Sequence, residues 1–242
     1  MDFQQARACP PRDFLTEIRA WRTNRELGFD ESFDETLLMP ILRTTLLHVP
    51  SFFNSQTTRI VVLLRLDNKR LWDLISNCLE RTRDRTLVPS ETYEGLRRLG
   101  NANGSVLFYE DTAAIGALLQ SPNSARYVGK FQSLIQQTSA QQQFVVQTAL
   151  CVEGLGGTLH YFNGGLIDEA IKQEWAIEPG WRLVAQIVFG KVLEPVGVKF
   201  HSPLDGRLIV KGGDLLRNQD DGGQDSKAWD WLQNEVNHVL TA

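Results

Sequence analysis

Hydrophobic and polar residues along the chain follow two periods, one typical of helices and one typical of strands. Segment 13–22 has four apolar residues at helical spacing and predicts a helix that buries them. These residues are Phe14, Leu15, Ile18 and Trp21. The run 59–66 is short, apolar and rich in β-branched residues, which predicts a buried strand.

The remaining segments alternate in the same way. Helices are predicted over 34–49, 67–82, 112–120, 138–157 and 166–177, and strands over 105–111, 158–162, 182–190 and 207–211. We expect Pro40 to bend or split the first of these helices. The helix over 138–157 is apolar nearly all round between Phe144 and Val152, which predicts a central, buried position.

An alternation of helices and strands without an internal repeat predicts an α/β or α+β domain with one core. A chain of 242 residues is within reach of a single domain. At Gly212 an acidic, glycine-rich stretch begins, and a helical pattern follows it. We therefore predict one domain over 1–211, and an acidic linker with an amphipathic C-terminal helix over 212–242.

Composition and charge exclude several classes of protein. The net charge of −4 lacks the basic footprint of a nucleic-acid binder. Cys9, Cys78 and Cys151 are odd in number and without paired spacing, so neither a disulfide framework nor a zinc site is predicted. No apolar run reaches the length of a membrane span, and the N-terminal residues do not read as a signal peptide. We expect a cytoplasmic protein that binds neither nucleic acid nor a membrane and holds no metal.

Three local features are candidates for a binding site. Arg19, Arg22 and Arg25 fall within one third of a helix circumference, where guanidinium groups suit phosphate or carboxylate, although a solvated face gives the same pattern. The connection 48–59 is dense in small polar side chains, which either bind a ligand or only form turns. The glycine-rich stretch 153–157 either lets a ligand approach the backbone or only caps a helix.

The usual catalytic signatures are absent from the sequence. It contains no Gly-x-Ser-x-Gly, His-Glu-x-x-His or Walker motif. His160 alternates within a predicted strand and belongs either to the core or to the wall of a pocket. The residues alone therefore do not show a reaction that proceeds without a cofactor.

The three features occur in order in one known family. The chain resembles the FMN-dependent nitroreductases, in particular their fungal branch, over most of residues 14–210. Five blocks carry the resemblance: RTNREL (22–27), HVPSFFNSQTTRIVVLL (48–64), GSVLFYED (104–111), QFVVQTALCVEGLGGTLHYFN (143–163) and GWRLVAQIVFGKVLEPVGVKFHSPL (180–204).

The resemblance implies an α+β fold with a central, mostly antiparallel sheet flanked by helices. It also implies a homodimer that holds FMN at the subunit interface. The implied reaction is a ping-pong hydride transfer, in which NAD(P)H reduces the flavin and the flavin reduces a nitro, quinone or related small-molecule acceptor.

Carried over by position, the family's cofactor contacts fall on residues in all parts of the domain. They are Thr23, Arg25, Pro50, Ser51, Asn54, Gln56, Arg98, Leu155, Lys199 and His201. The implied catalytic residues are Glu153 and Gly154, where a backbone N–H of the glycine stretch would reach the flavin N5.

Two positions depart from the family pattern. Trp21 stands where an arginine would hold the FMN phosphate, so Arg19 or Arg22 would have to substitute, and Phe52 stands where a serine is usual. These departures leave a flavin-free alternative, a cyclase, isomerase or binder of fungal secondary metabolism that reuses the interface pocket. His160, Glu153 or His201 would then act as acid or base. A non-catalytic dimeric partner module is the third hypothesis.

Overall fold

A computed structural model of the chain describes residues 14–81, 90–122, 127, 129–197, 199–203 and 206–209. The chain divides into two compact units, Met1–Val196 and Gly197–Ala242. The described residues of the second unit contain no helix or strand, so the strand predicted over 207–211 is wrong for residues 207–209. The linker and helix predicted over 212–242 lie outside the described residues.

The helices of the first unit lie close to the predicted positions, with shifted ends. They are α1 (Phe14–Ala20), α2 (Leu38–His48), α3 (Arg65–Arg81), α4 (Ser90–Leu99), α5 (Thr112–Leu119), α6 (Phe131–Val152) and α7 (Gly165–Glu174). Helix α4 was not predicted, and α6 begins at Phe131 rather than at residue 138. The helix predicted over 34–49 is a 3-10 turn, Glu35–Leu37, followed by α2. Pro40 lies in the first turn of α2, where a missing N–H leaves no helical hydrogen bond unmade.

The strands form one five-stranded sheet, which confirms the predicted α+β fold with a central antiparallel sheet. They are β1 (Leu27–Gly28), β2 (Thr58–Leu64), β3 (Gly104–Asp111), β4 (Gly156–His160) and β5 (Trp181–Val192). Strand β3 lies between β2 and β5, and the other edge of β5 pairs with β4 and β1. All four strand pairings are antiparallel. The two residues of β1 are too few to show a period, which is why the sequence did not predict this strand.

Helices cover both faces of the sheet. On one face Leu107 and Tyr109 of β3 pack in a cluster with residues of α3, α4 and α7. On the other face Val106 and Phe108 pack in a cluster with residues of α2 and α6. Because alternate residues of β3 enter opposite clusters, the whole strand is apolar in sequence. The core therefore holds α4 against one face and α6 against the other.

The apolar stripe predicted to be buried in α1 is largely exposed. Phe14 and Leu15 are 58% and 56% exposed, and the buried residue of α1 is Glu17. Helix α1 packs on α6, where Phe14 meets Phe144 edge to face with ring centroids 6.5 Å apart. Phe144 is itself 48% exposed, so the expectation that α6 is buried all round is also wrong.

Candidate functional site

A groove of about 470 Å³ lies between the segment that follows α1, the end of α4 and strand β4. It brings together four residues that the sequence analysis named as site candidates, namely Thr23, Arg25, Arg98 and His160. The other lining residues are Glu26, Gly95, Leu96, Leu99, Thr158 and Leu159. The volume lies within the range of about 300–1,000 Å³ that is usual for small-molecule and cofactor sites.

Close backbone contacts hold the segment that carries Thr23 and Arg25 against the sheet. Thr23 forms a parallel bridge with Gly157, and the Asn24 N–H donates to the Gly157 carbonyl at 3.1 Å. Further along, a Cβ at Gly190 would lie 2.4 Å from the carbonyl oxygen of Gly28. Only glycine allows this approach, so the β1–β5 contact fixes one wall of the groove.

A chain of buried hydrogen bonds holds the opposite wall at the end of α4. The Trp72 indole N–H donates to Ser105 Oγ at 3.0 Å, and the Ser105 hydroxyl donates to Asn68 Oδ1 at 2.6 Å. The Asn68 amide then donates to the Leu99 carbonyl at 3.0 Å. Because Leu99 follows Arg98 directly, this chain fixes the position from which Arg98 enters the groove.

The three arginines of the first sequence feature have different environments. The Arg22 guanidinium donates to the carbonyls of Arg19 and Trp21, at 2.7 and 2.8 Å, and so caps the C-terminal end of α1. Arg19 is exposed and does not line the groove. Arg25 is exposed in the groove, and Arg98 forms an ion pair with Glu26 there at 3.6 Å. The guanidinium groups available to a ligand in the groove are therefore those of Arg25 and Arg98.

His160 is an uncharged wall residue of the groove at neutral pH. Its ring stacks on Phe162 with centroids 5.6 Å apart and meets Trp72 edge to face at 5.1 Å. Burial among these rings lowers the pKa of His160 to about 4. Its Nε2 is buried and has no hydrogen-bond partner among the described residues. This nitrogen is a neutral hydrogen-bonding atom that the described residues leave unused.

The glycine-rich stretch 153–157 forms a Schellman motif at the C-terminal end of α6. The Gly154 N–H donates to the Cys151 carbonyl at 2.9 Å, and the Leu155 N–H donates to the Leu150 carbonyl at 3.1 Å. Gly154 has a φ of 86°, which glycine adopts without strain. Glu153 is the C-cap residue, and its N–H also donates within α6. In this structure the N–H groups of Glu153, Gly154 and Leu155 are thus all used by the helix end.

The loop between α2 and β2 carries Pro50, Ser51, Asn54 and Gln56 in a strained conformation. Phe53, Asn54 and Gln56 have φ values of 53°, 52° and 49°, which are uncommon for residues other than glycine. Ser51 Oγ accepts from the Gln56 N–H at 3.2 Å. Such strain is characteristic of segments whose conformation serves a function.

Aromatic packing holds this loop in place. The Phe52 ring lies 4.4 Å from Phe53, 5.5 Å from Tyr127 and 5.6 Å from Phe131, measured between centroids. The Phe52 N–H also donates to Thr138 Oγ1 of α6 at 3.2 Å. The ring that replaces the expected serine is therefore part of the packing between the loop and α6.

The loop and the groove lie at opposite ends of the sheet. Next to the loop, the Thr57 carbonyl accepts from Asp111, whose β5 partner is Trp181. In the groove, the β5 partner of His160 is Gln186. Trp181 and Gln186 are about 17 Å apart at the rise of an antiparallel strand. The loop and the groove are therefore well separated along β5 within one protomer.

Comparison with known proteins assigns this fold. The model of the nitroreductase family matches residues 18–191. The chain is 30% identical to HBN1 of Saccharomyces cerevisiae over 172 residues, which are 71% of this chain and 83% of HBN1. The nitroreductase CinD from Lactococcus lactis, solved in complex with chloramphenicol, superposes with a TM-score of 0.72 at 30% identity. That superposition covers 82% of this chain and all of CinD.

The chain belongs to the nitroreductase family. The matched residues of this nitroreductase include both the groove and the strained loop. A likeness at 14% identity and a TM-score of 0.60, which concerns the fold alone, extends to a structure from Exiguobacterium sibiricum in complex with FMN. The family assignment makes the chain an oxidoreductase of the nitroreductase type.

Three further observations concern the remaining predicted site residues and the described part of the chain. Lys199 and His201 belong to the second unit, where both are exposed. Glu26 lines the groove but was not named from the sequence, although it follows Arg25 directly. Among the described residues, no cluster of three metal-ligating side chains occurs and no helix is long and apolar enough to span a membrane.

Proposed function

We propose that this nitroreductase is a homodimeric, FMN-dependent NAD(P)H oxidoreductase that reduces nitro, quinone or related acceptors by ping-pong hydride transfer. The observation that carries the proposal is the convergence of Thr23, Arg25, Arg98 and His160 on one groove. These residues come from three separate parts of the chain. The resemblance had named Thr23, Arg25 and Arg98 independently of their position in space, and His160 had been named as a possible pocket-wall residue.

The side chains of the groove fit FMN by their chemistry. The guanidinium groups of Arg25 and Arg98 suit an anionic cofactor, because charged donors form the stronger hydrogen bonds to phosphate and carbonyl oxygens. The Thr23 hydroxyl can donate or accept, which suits a phosphate oxygen or a sugar-alcohol hydroxyl. The imidazole of His160 gives the groove a neutral, aromatic wall.

The flavin, when bound, supplies the two-electron chemistry between NAD(P)H and the acceptor. The chain's own residues bind and orient it. Arg25 compensates the phosphate charge, Arg98 is the proposed basic residue near the flavin ring, and His160 contributes a neutral, aromatic wall. By the resemblance, Lys199 and His201 remain proposed cofactor contacts, and Glu153, Gly154 and Leu155 remain proposed contacts of the ring.

The separation of loop and groove supports the homodimer. Pro50, Ser51, Asn54 and Gln56 can complete a site at the groove only if a second copy of the chain contributes them. The exposed Phe14 and Phe144 on the packed pair α1 and α6 give that second copy an apolar surface to bury. We therefore assign the groove to one subunit and the loop to the other in each complete site.

The acceptor class is proposed from the relatives. CinD has been solved with chloramphenicol and with 4-nitrophenol, and the second of these structures superposes on this chain with a TM-score of 0.71. Both molecules carry a nitro group on an aromatic ring. We infer that this chain also accepts small nitroaromatic molecules.

A spectrum and a titration test the cofactor. The purified protein should show an oxidised flavin band at roughly 450 nm, or acquire one with added FMN. Arg25→Gln should weaken FMN binding about tenfold to a hundredfold and leave riboflavin, which lacks the phosphate, unaffected. Arg97→Gln is the matched control, because Arg97 pairs with Glu80 outside the groove. A protein that neither binds FMN nor is stabilised by it would contradict the proposal.

Mixed dimers test the shared site. Arg25→Gln and Asn54→Ala are each expected to lower NAD(P)H-dependent reduction of 4-nitrophenol. If groove and loop come from different subunits, a mixed dimer has one site with both substitutions and one site with neither. Activity should therefore return after the two variants are unfolded and refolded together. If groove and loop served the same subunit, every site would carry one substitution and no activity would return.

No observation favours the flavin-free isomerase or cyclase. Of its three proposed acids or bases, His160, Glu153 and His201, the first has a pKa of about 4 because of burial and is a weak proton acceptor at neutral pH.

A further inference from the structure

The loop between α2 and β2 is held from two sides, and on the side of β2 the contacts come from Arg59. Its Nη1 donates to the carbonyls of Gln56 and Thr58, at 2.8 and 3.0 Å. Its Nη2 donates to Asp111 Oδ2 at 2.8 Å, and the guanidinium lies 6.0 Å from the centre of the Trp181 ring. One planar group thus joins the end of the loop to the end of β3 and the start of β5.

Asp111 is itself a fixed anchor for this guanidinium. Its Oδ1 accepts from the Ala114 N–H at 3.0 Å and so caps α5, which leaves Oδ2 for Arg59. The Asp111 N–H also donates to the Thr57 carbonyl at 2.9 Å. The side chains of Arg59 and Asp111 are 33% and 17% exposed, so salt screens their ion pair less than one on the open surface.

The backbone that Arg59 holds requires contacts of this kind. Positive φ values, as in Phe53, Asn54 and Gln56, are costly for residues with a Cβ and persist only where the surrounding structure imposes them. Phe52 provides such contacts on the side of α6. On the other side, the Gln56 carbonyl that Arg59 binds belongs to the last of the three strained residues.

We propose that Arg59 is a positioning residue, which keeps the loop in its binding conformation and acts through the loop rather than by contact with the cofactor. Without the guanidinium the strained residues relax in a fraction of the molecules, and only the remaining fraction is ready to bind. The apparent dissociation constant then rises by the inverse of that remaining fraction. The inference rests on the proposed function for its ligand, FMN, but not for the hold of Arg59 on the loop.

Titration with FMN tests the positioning role. Arg59→Gln should raise the dissociation constant for FMN about threefold to tenfold. At saturating FMN, the maximal rate of 4-nitrophenol reduction should stay within about twofold of wild type, because bound FMN keeps the loop in place. Arg59→Lys keeps the charge but not the planar fork, so its constant should lie between those of wild type and Arg59→Gln.

Arg65→Gln is the matched control for the titration. Arg65 directly follows β2 at its other end and pairs with Glu35 at 2.9 Å, so its removal deletes a comparable ion pair away from the loop. This variant should bind FMN like wild type. An equal rise of the constant in both variants, or a maximal rate that falls as far as the affinity in Arg59→Gln, would overturn the positioning role.

A double variant tests Asp111 as the anchor. Asparagine is also a favoured N-cap residue, so Asp111→Asn keeps the cap of α5 while it removes the ionic partner of Arg59. Asp111→Asn should raise the constant for FMN in wild type, and should have a smaller effect once Arg59→Gln is present. Equal effects in the two backgrounds would mean that the two residues act independently, against the proposal.

Hydrogen exchange of the loop distinguishes failure of this inference from failure of the proposed function, because it needs no ligand. The N–H groups of Asn54, Ser55 and Gln56 donate within the loop, so their exchange reports its conformation. Without FMN, Arg59→Gln should speed their exchange about threefold or more, and Arg65→Gln should not. If exchange rises in this way and wild type binds no FMN, the hold on the loop stands and the flavin assignment fails. Unchanged exchange in Arg59→Gln would refute the inference whatever the FMN titration gives.

Discussion

The imidazole of His160 meets the indole of Trp72 edge to face, with their ring centroids 5.1 Å apart. Trp72 is fully buried, so this contact ties the wall of the groove directly to the core between the sheet and α3. The contact explains why His160 is uncharged: burial lowers its pKa from 6.5 to about 4.

The lowered pKa of His160 predicts a loss of stability in acid. Between about pH 6.5 and pH 4 the unfolded state binds a proton that the folded state rejects, so the free energy of unfolding decreases as the pH falls through this range. The expected contribution is about 2–3 kcal/mol.

Urea unfolding of wild type and His160→Phe at pH 7 and at about pH 4.5 measures this contribution. The variant should lose less stability on acidification than wild type, by that amount. The exposed His48 provides the control substitution, His48→Asn, which should behave like wild type. Equal acid sensitivity of His160→Phe and wild type would show that His160 is charged in the folded protein.

Gly190→Ala should weaken the fold and the groove together. The added Cβ would lie 2.4 Å from the Gly28 carbonyl oxygen and 3.1 Å from the Asn103 nitrogen, both backbone atoms. We expect a loss of about 1–3 kcal/mol, typical of overpacking, and weaker FMN binding because the segment that carries Thr23 and Arg25 moves. Thermal unfolding and FMN titration provide the two readouts.

Gly116→Ala is the matched control for that substitution. Gly116 lies within α5, and outside its own helix backbone and chain neighbours no atom of the described residues lies within 4 Å of the position its Cβ would take. This variant should gain about 0.5–1 kcal/mol from the higher helix propensity of alanine. If both alanine variants were equally stable, the close approach of β5 to Gly28 would not be as described.

Arg22→Ala should reduce stability without affecting the cofactor. Its guanidinium donates to two carbonyls at the end of α1, so removal should cost about 1 kcal/mol. FMN affinity should remain within twofold of wild type, since Arg22 does not line the groove. A loss of FMN affinity of tenfold or more would instead support the hypothesis that Arg22 takes the role of the arginine that the family has at the position of Trp21.

Asn68→Ala should break the buried hydrogen-bond chain behind Arg98. The substitution leaves Ser105 Oγ and the Leu99 carbonyl short of a partner, which predicts a loss of about 2–3 kcal/mol. Arg98 should also become less well placed, so the variant should bind FMN more weakly. The control is Glu80→Gln, which lies outside the groove, leaves the buried hydrogen-bond chain intact and should bind FMN like wild type. Unfolding in urea and FMN titration measure the two effects; unchanged stability would contradict the described chain.

Sequence patterns predicted most elements because their periods are local. The run 59–66 became β2 and the amphipathic pattern 67–82 became α3, since alternation and helical spacing depend only on neighbouring residues. Strand β1 and helix α4 were not predicted. The first is held by its approach to β5 and the second by its packing on α3, and neither contact is visible locally.

The positions of the predicted site residues in space were likewise not visible in local patterns. The sequence named Thr23, Arg25, Arg98 and His160 from three separate parts of the chain, and the fold brings them to one groove. It did not distinguish Arg22 from Arg25, because helical spacing gives both the same face until α1 ends at Ala20 and Arg22 turns back to cap it.

The sequence by itself determined most of the elements, the mixed fold and the chemical types available for a phosphate ligand, because these depend on local periodicity and composition. Only the tertiary structure decided that Phe14 and Leu15 of α1 are exposed and that Glu26 meets Arg98. It also decided that the loop around Asn54 lies far from the groove. Packing across the sheet sets such distances between residues remote in sequence, and no local pattern encodes them.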